Sequence, residues 1–260
     1  MKTVSEIEKY LDALYPKTLS ESWDNDGIML CLDRSKSVKR IAVCLDVTND
    51  VIKKALFNNV DLIISHHPFI FSGEKNLDFT SEKKMFWPFL IKENVAVMSY
   101  HTRLDTAENG LNDWFSQLLQ LQNTERFGLS EDVSLLGRVG NLKRESNIFE
   151  FCEFLKKSTG AHLRLYKSDN EIIKRVAVVT GGGKDYIRSA MKSGADVFVS
   201  GDLSYNASLD AATLGMNVVD LGHYETERIV TGLLKQRLLI LDDELEIFEL
   251  DSGENRVFWL

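Results

Sequence analysis

The most informative stretch of this chain reads Asp61-Leu-Ile-Ile-Ser-His66-His67-Pro68-Phe69. Its short apolar run, flanked by turn-forming residues, is typical of a strand that is buried on both faces of a parallel sheet. Pro68 has no backbone N–H, so it ends the strand and leaves the two histidines at its carboxyl end. Sheets of this kind bind ligands just beyond that end. The stretch therefore predicts an α/β protein with two imidazoles at a ligand-binding edge.

A repeated unit contains this strand, because residues 40–65 align without a gap with residues 175–200. The positions that are identical in the two copies are, in the first copy, Arg40, Ala42, Val43, Asp50, Ile52, Ala55, Asp61 and Ser65. The repeat predicts an α/β fold with two similar βαβ-containing domains. Chance similarity among βαβ segments is the alternative.

Helices and strands alternate along the chain as the repeat requires. Helices are predicted at 4–14, with Thr3 and Glu6 as a capping box, and at 50–58, 82–93, 111–119, 148–155, 184–193, 205–214 and 224–238. Strands are predicted at 28–31, 41–45, 61–65, 95–100, 162–166, 172–179, 196–200 and 217–221. The periodicity fades at 122–146, where we place a domain junction. The first domain is then expected at 1–125 plus 215–260 and the second at 126–214, with most metal ligands in the first.

The composition argues against several classes of function. The 260-residue chain has a formal net charge of −8 and no dense run of Lys and Arg, which argues against nucleic-acid binding. Cys31, Cys44 and Cys152 fit neither a disulfide framework nor a CxxC site, and we interpret them as small buried residues in a reducing compartment. The N-terminal residues lack the apolar core of a signal peptide, and no stretch reaches the length of a membrane span. We expect a cytoplasmic protein that does not contact membranes.

Histidines cluster at the predicted ends of strands. Four of the five lie at the carboxyl end of a predicted strand, namely His66, His67, His101 and His223. The fifth, His162, does not, and we interpret it as structural. Neighbouring side chains diverge, so the adjacent histidine pair suits two metal ions, or one metal ion and a substrate, better than one ion twice. An exit turn with two partly solvated histidines is the alternative for that pair.

Each half of the chain also has a histidine with a carboxylate four residues later, His101 with Asp105 and His223 with Glu227. In a helix, this spacing places both side chains on one face. Each residue has an ordinary explanation: Asp105 could cap a helix, Glu227 could favour a helix N-terminus, and His101 could be a hydrogen-bonded edge residue. Their joint occurrence at one edge favours a metal site. The donor types suit Zn, Fe, Mn or Co, and two such ions that share a carboxylate would form a hydrolytic centre.

A glycine run, Thr180-Gly-Gly-Gly-Lys184, lies between a predicted strand and a helix. Such a turn can present N–H groups to a phosphate. It lacks the full GxxxxGK[ST] pattern of a P-loop, so we favour a tight turn between strand and helix.

Four segments of the chain resemble the Nif-three-like family, whose members are dinuclear-metal proteins often labelled GTP cyclohydrolase I type 2 homologues. The segments are DLIISHHPFIF, SYHTRLD, VAVVTGGGKD and DLGHYETER. The resemblance covers nearly the whole chain and implies two similar α/β domains, a homohexamer and two divalent metal ions per subunit. Longer members carry an inserted domain, and the short interval between 120 and 172 identifies this chain as the compact form.

The resemblance also implies a set of site residues. The implied metal ligands are His66, His67, Asp105, His223 and Glu227, with Glu227 as the bridge. His101 matches a further site residue, and we expect Glu227 or His101 to assist proton transfer. Arg103 stands where members often have Asn, which affects any substrate contact at that position.

Two functions of different classes follow from these observations. The first is a dinuclear-metal-dependent hydrolase of a nucleotide-like or other small substrate, and the family label implies opening of the guanine ring of GTP. The alternative is a non-enzymatic protein that binds or delivers metal, or that serves as a regulatory scaffold. The two differ in whether the metal-loaded protein shows saturable turnover.

Overall fold

The structure is a computed structural model that describes residues 1–129 and 135–250. The chain divides into two units, each with its own central sheet. Unit 1 comprises residues 1–104 and the segment from residue 230 onward, and unit 2 comprises residues 105–229. Within the described ranges, no helix has both the length and the apolar surface that crossing a membrane requires.

The first stretch of unit 1 alternates strands and helices. Its elements are β1 (Lys2–Thr3), α1 (Val4–Leu14), a 3-10 helix (Lys17–Leu19), β2 (Gly27–Leu30), β3 (Ser37–Val38), β4 (Arg40–Cys44), α2 (Asn49–Phe57), β5 (Leu62–Ser65), α3 (Trp87–Lys92), β6 (Ala96–Ser99) and α4 (Thr102–Thr106), which continues into unit 2. The predicted capping box begins α1: the Glu6 N–H donates to Thr3 Oγ1 at 3.2 Å, and the Thr3 N–H donates to Glu6 Oε2 at 2.8 Å.

Unit 2 follows, and the chain then returns to unit 1. The elements of unit 2 are α5 (Leu111–Leu118), β7 (Gln122–Phe127), β8 (Gly137–Asn147), α6 (Ile148–Thr159), β9 (Arg164–Tyr166), β10 (Ile172–Gly182), a 3-10 helix (Lys184–Tyr186), α7 (Ile187–Lys192), β11 (Val197–Gly201), α8 (Tyr205–Thr213), β12 (Asn217–Asp220) and α9 (His223–Glu227). The returning segment contributes α10 (Val230–Leu241) and β13 (Glu246–Glu249), a strand that the sequence analysis did not predict.

The two sheets share a four-strand arrangement. The sheet of unit 1 has the order β13-β4-β5-β6-β2, and that of unit 2 has the order β7-β8-β10-β11-β12-β9. In both, three parallel strands are followed by one antiparallel strand, β4-β5-β6-β2 in unit 1 and β10-β11-β12-β9 in unit 2. This common order confirms the predicted α/β fold with two similar βαβ-containing domains.

The repeat extends to individual hydrogen bonds. In unit 1, Asp61 Oδ2 accepts hydrogen bonds from the backbone N–H groups of Lys39 and Arg40 at 2.9 and 3.1 Å. In unit 2, Asp196 Oδ2 accepts from the two corresponding N–H groups, at 2.8 Å each. The aspartate that is identical in the two copies therefore satisfies backbone donors where the repeated segment begins, at β4 in unit 1 and within β10 in unit 2.

The carboxylate of Asp61 is expected to make the stability of unit 1 depend on pH. Partial burial raises its pKa, but hydrogen bonds from Lys39, Arg40 and Lys36 outweigh this and lower the pKa below its usual value. A lowered pKa stabilises the fold above the unfolded-state pKa of about 3.9, and this stabilisation is lost as the pH falls through the folded-state pKa.

Asp61→Asn is therefore expected to lower the free energy of unfolding by about 1 kcal/mol at pH 7, because the neutral amide accepts more weakly. The difference from wild type should shrink below about pH 4, where the unfolded carboxylate protonates, and should disappear below the folded-state pKa. Urea unfolding at pH 7 and below pH 4 measures this difference, with Asp50→Asn as the control, because the Asp50 side chain is 41% exposed. A difference that is constant with pH would contradict this account.

The central strand β10 of the unit 2 sheet is buried on both faces. Val176 and Val178 of β10 pack into one apolar cluster, and the alternating residues Ala177 and Val179 pack into another. Successive side chains of a strand point to opposite faces, so helices cover both sides of this sheet. This is the pattern that a continuous apolar run predicts.

The limits of the units differ from those expected from the sequence. Unit 2 begins at residue 105 and ends at residue 229, whereas the sequence analysis expected the second domain to begin at 126 and end at 214. The reason is that α5 packs Phe115 into an apolar cluster of unit 2, and that β12 belongs to the sheet of unit 2. Unit 2 therefore contains Asp105, His223 and Glu227, whereas the sequence analysis placed most of the candidate ligands in the first domain.

A junction was expected at 122–146, but the described residues of this segment form most of the antiparallel strands β7 and β8 at one edge of the sheet of unit 2. Two predicted helices also differ in extent. The segment 82–93 is helical only over Trp87–Lys92, with Pro88 in the first turn. The segment 224–238 consists of two helices, α9 and α10.

All three cysteines lie in the described ranges as free thiols. Cys44 and Cys152 are buried, and burial raises the pKa of Cys152 to about 11. Neither thiol is suited to form the reactive thiolate. Cys31 is only partly buried, so the prediction of buried cysteines holds for two of the three.

Candidate metal centre

Three histidines of unit 1 lie together at the carboxyl ends of two strands. His66 and His67 follow β5, and His101 follows β6, which pairs with β5 in parallel. The ring centroids are 5.2 to 5.6 Å apart, and one nitrogen of each ring lies within 4.8 Å of the other two. Parallel neighbours end at the same edge of a sheet, which explains why the three rings meet.

Each of these histidines contacts an oxygen acceptor through Nδ1. The acceptors are the Tyr100 carbonyl for His66 at 2.8 Å, Asp46 Oδ1 for His67 at 2.7 Å and Asp24 Oδ1 for His101 at 2.8 Å. When Nδ1 carries the proton of a neutral imidazole, the lone pair lies on Nε2. Metal-binding histidines are oriented in this way by carboxylate and carbonyl groups.

Asp24, which contacts His101, is itself held in place by Thr102. Its buried side chain accepts hydrogen bonds from the backbone N–H and the hydroxyl of Thr102 in addition to the contact with His101. Burial raises the pKa of an aspartate, but these hydrogen bonds outweigh burial and lower the pKa of Asp24 to about 2. Asp24 is therefore a carboxylate at neutral pH, and it fixes the orientation of the His101 ring.

In unit 2, His223 and Glu227 face each other across one turn of α9, as their spacing predicts. His223 Nδ1 contacts Asp202 Oδ2 at 2.8 Å, and His223 Nε2 lies 3.0 Å from Glu227 Oε2. With the Nδ1 proton directed to Asp202, the Nε2 lone pair points at a carboxylate oxygen. Two lone pairs at this distance repel each other unless a proton or a cation lies between them. The pair is suited to binding a cation.

Asp105 lies beside Glu227. Both residues are buried, 5% and 4% exposed, and each offers a carboxylate oxygen within 4.8 Å of the other's. The Asp105 carbonyl accepts a hydrogen bond from Asn112, and Asn112 Oδ1 accepts one from the Thr180 N–H of β10. Two buried carboxylates at this separation require compensating positive charge. Unit 2 therefore brings together three of the predicted site residues, with Glu227 nearest to both others.

The glycine run positions this carboxylate. Gly181 lies at the end of β10 with φ of +70°, and its N–H donates a hydrogen bond to Thr226 Oγ1 at 2.8 Å. A Cβ atom added at Gly181 would overlap Glu227 Oε1. The backbone approaches the carboxylate so closely that only glycine fits. Gly181 and Gly182 still belong to β10, so the connection to the following 3-10 helix is Gly183 alone.

Sequence reasoning missed the aspartates that orient the histidines, namely Asp24, Asp46 and Asp202. Asp46 lies just after β4 in unit 1 and Asp202 just after β11 in unit 2, so each follows a strand parallel to one that a candidate histidine follows in the same sheet. A search for aspartates, as well as histidines, just beyond the ends of predicted strands would have identified Asp46 and Asp202. Asp24 lies in the loop before β2 and gave no comparable signal.

Arg103 does not extend toward the histidines as a substrate-binding residue would. Its side chain is 2% exposed, contacts Asp12 at 2.8 Å and Asp26 at 3.2 Å, and lies 4.2 Å from the centre of the Tyr100 ring. These contacts all lie within unit 1. They explain how this chain accommodates a charged arginine at a position where family members often have the neutral Asn.

The donor set fits a divalent metal ion. Imidazole nitrogens with fixed tautomers and buried carboxylates are the ligands that Zn and similar ions prefer. Each unit thus contains His, Asp or Glu side chains that could bind metal. His162 is exposed ahead of β9 and belongs to none of the candidate groups found among the described residues.

The comparison with known proteins agrees with this description. The family model described as Duf34/NIF3 (NGG1p interacting factor 3) matches residues 2–255. A Clostridium perfringens protein named "GTP cyclohydrolase 1 type 2 homolog" is 33% identical over 233 residues, 86% of each chain. A Methanocaldococcus jannaschii protein of the same name is 34% identical over 253 residues, 95% of this chain and 98% of its own.

Solved structures agree with the fold. The structure titled "Reduced HcgD from Methanocaldococcus jannaschii" is 32% identical, with a TM-score of 0.82 over 96% of this chain and 98% of its own. A Bacillus cereus protein related to NIF3 has a TM-score of 0.87 over 100% and 99% of the two chains, at 22% identity. Since the family model spans nearly the whole sequence, this chain belongs to the Duf34/NIF3 family.

Proposed function

We propose that this protein is a metal-dependent hydrolase of a nucleotide-like or other small substrate. The observation that carries the proposal is the hydrogen bonding of the histidines, because every histidine at a strand end has Nδ1 fixed by an oxygen acceptor. That arrangement directs Nε2 toward a ligand. The relatives named GTP cyclohydrolase 1 type 2 homolog support a nucleotide-like substrate.

We infer that two divalent ions, Zn, Fe, Mn or Co, are bound by His66, His67, Asp105, His223 and Glu227. Glu227 is assigned as the bridge because both Asp105 and His223 lie near its carboxylate. The family resemblance further implies a homohexamer, which stays a prediction.

Bound divalent ions supply Lewis acidity and lower the pKa of water. The residues of this chain supply orientation and proton transfer. Asp24 holds His101 with the proton on Nδ1, so Nε2 is the nitrogen that accepts a proton from the attacking water. Glu227 offers a second acceptor, and its position is fixed by the close approach of Gly181.

The test of this proposal is turnover by the metal-loaded protein across a panel of nucleotides and phosphoesters. Saturable kinetics on at least one class of substrate is expected, and removal of the metal with a chelator should abolish it. Stable metal occupancy with no turnover on any member of the panel would contradict the hydrolase and favour a metal-binding or metal-delivery protein.

Gly181→Ala is expected to weaken metal binding about tenfold or more. The added methyl group would displace the Glu227 carboxylate, and the positive φ would add about 1 kcal/mol of backbone strain. Gly194→Ala is the matched control, because Gly194 has a similar φ of +76° but no atom within 4 Å of the position of an added Cβ.

Competition with a chromophoric chelator measures metal affinity in both variants, and thermal unfolding measures the shared strain. The proposal predicts that backbone strain destabilises both variants, with a further loss in Gly181→Ala from the displaced Glu227, and that only Gly181→Ala loses metal affinity. Equal metal affinity in the two would remove Glu227 from the assigned ligands.

A further inference from the structure

Two exposed aromatic rings lie next to the histidines of unit 1. Trp23 is 59% exposed and Phe71 is 52% exposed, and their ring centroids are 6.1 Å apart. The Trp23 ring is also 6.0 Å from the ring of His101, in a T-shaped arrangement at 75°. Single exposed apolar residues are common on protein surfaces, but an adjacent pair beside a candidate site is more informative. We call Trp23 and Phe71 the aromatic pair.

The two loops that carry the aromatic pair are anchored. Asp24, next to Trp23, accepts hydrogen bonds from Thr102 and contacts His101. Asn25 donates a hydrogen bond to the carbonyl of Ile70, the residue before Phe71. The pair is therefore held in place before any ligand binds, which reduces the entropy that binding costs.

We propose that the aromatic pair is a stacking site for a planar heteroaromatic ring, such as a purine base, of the molecule that binds at the histidines. This inference rests on the proposed function and specifies its substrate class. Stacking of a base on an aromatic side chain contributes about 1–3 kcal/mol and does not depend on which base is present. Exposed aromatic rings beside His101, the residue proposed to accept a proton from the attacking water, suit a planar ring whose carbon that water attacks.

The experiment compares binding of guanosine, adenosine and ribose 5-phosphate to the intact metal-loaded protein by isothermal titration calorimetry. Trp23→Ala and Phe71→Ala are each expected to weaken guanosine and adenosine binding about tenfold, and Trp23→Phe by less, because a smaller ring still stacks. Ribose 5-phosphate binding should not respond. The matched control is Phe57→Ala, since Phe57 is 86% exposed at the end of α2, near the amino ends of the strands. Circular dichroism verifies that the variants are folded.

Unchanged nucleoside binding in Trp23→Ala and Phe71→Ala would overturn the inference, and so would the absence of saturable nucleoside binding to the wild type. Turnover confined to substrates without a ring, and unaffected by Trp23→Ala, would also overturn it while leaving the hydrolase intact. Nucleoside binding that depends on Trp23 in a protein without turnover would support the stacking site and remove the hydrolase.

Discussion

Replacing His67 by alanine is expected to remove bound metal and to reduce turnover to background. His67 is an assigned ligand whose Nδ1 contacts Asp46 Oδ1 at 2.7 Å. Nε2 is therefore the ligand atom that the alanine variant lacks. The side chain is 25% exposed, and its loss leaves a smaller cavity than loss of the fully buried His66 would. A loss of metal without unfolding is therefore the expected result, measured by elemental analysis of the purified variant.

Two further variants make the result specific. His162→Ala removes an exposed histidine outside the candidate groups and should keep full metal content. Asp46→Ala keeps the ligand but removes its orienting partner, and should weaken metal binding about 10- to 100-fold. If His67→Ala and His162→Ala bound metal equally well, His67 would not be a ligand.

Arg103→Ala is expected to lower the free energy of unfolding by about 3–5 kcal/mol, because removing one partner of a buried ion pair leaves the other charge buried. The Asp26 side chain is fully buried, and Lys17 is its other cationic partner. The variant also loses the contact with the Tyr100 ring. For a domain of this size, the melting temperature should fall by roughly 6–20 °C.

The control is Arg34→Ala, which breaks an arginine–carboxylate pair with Glu8 at a similar distance of 2.7 Å on the surface. The Arg34 side chain is 60% exposed, and such pairs contribute about 0–1 kcal/mol. Chemical unfolding of both variants measures the difference. Equal destabilisation would show that burial of Arg103 does not determine its contribution.

The fold could be predicted because the repeat is encoded in apolar strands buried on both faces. The continuous run before His66 needs no knowledge of distant contacts, and its copy before Gly201 gave the second unit. The edge strand β7 could not be found in this way. Five of its six residues, Gln122 to Arg126, are exposed, so a strand that pairs only through its backbone carries no apolar pattern.

The histidines of the candidate site could be predicted from the sequence, but the residues that orient them could not. Histidines are rare enough that four at strand ends were informative, and the structure groups three of them in unit 1. The orienting aspartates were missed because single aspartates are common in loops, where they serve turns as often as sites. The burial of Arg103 depends on Asp12 and Asp26, which are distant in sequence, so no local pattern could reveal it.

The most direct test of the metal centre is anomalous X-ray diffraction from crystals of the metal-loaded protein at the absorption edge of the bound element. The proposed function predicts two anomalous peaks per subunit, each about 2.0–2.3 Å from its ligand atoms, with His66, His67 and His223 among the ligands. Peaks only on the surface, or none within reach of these histidines, would contradict it.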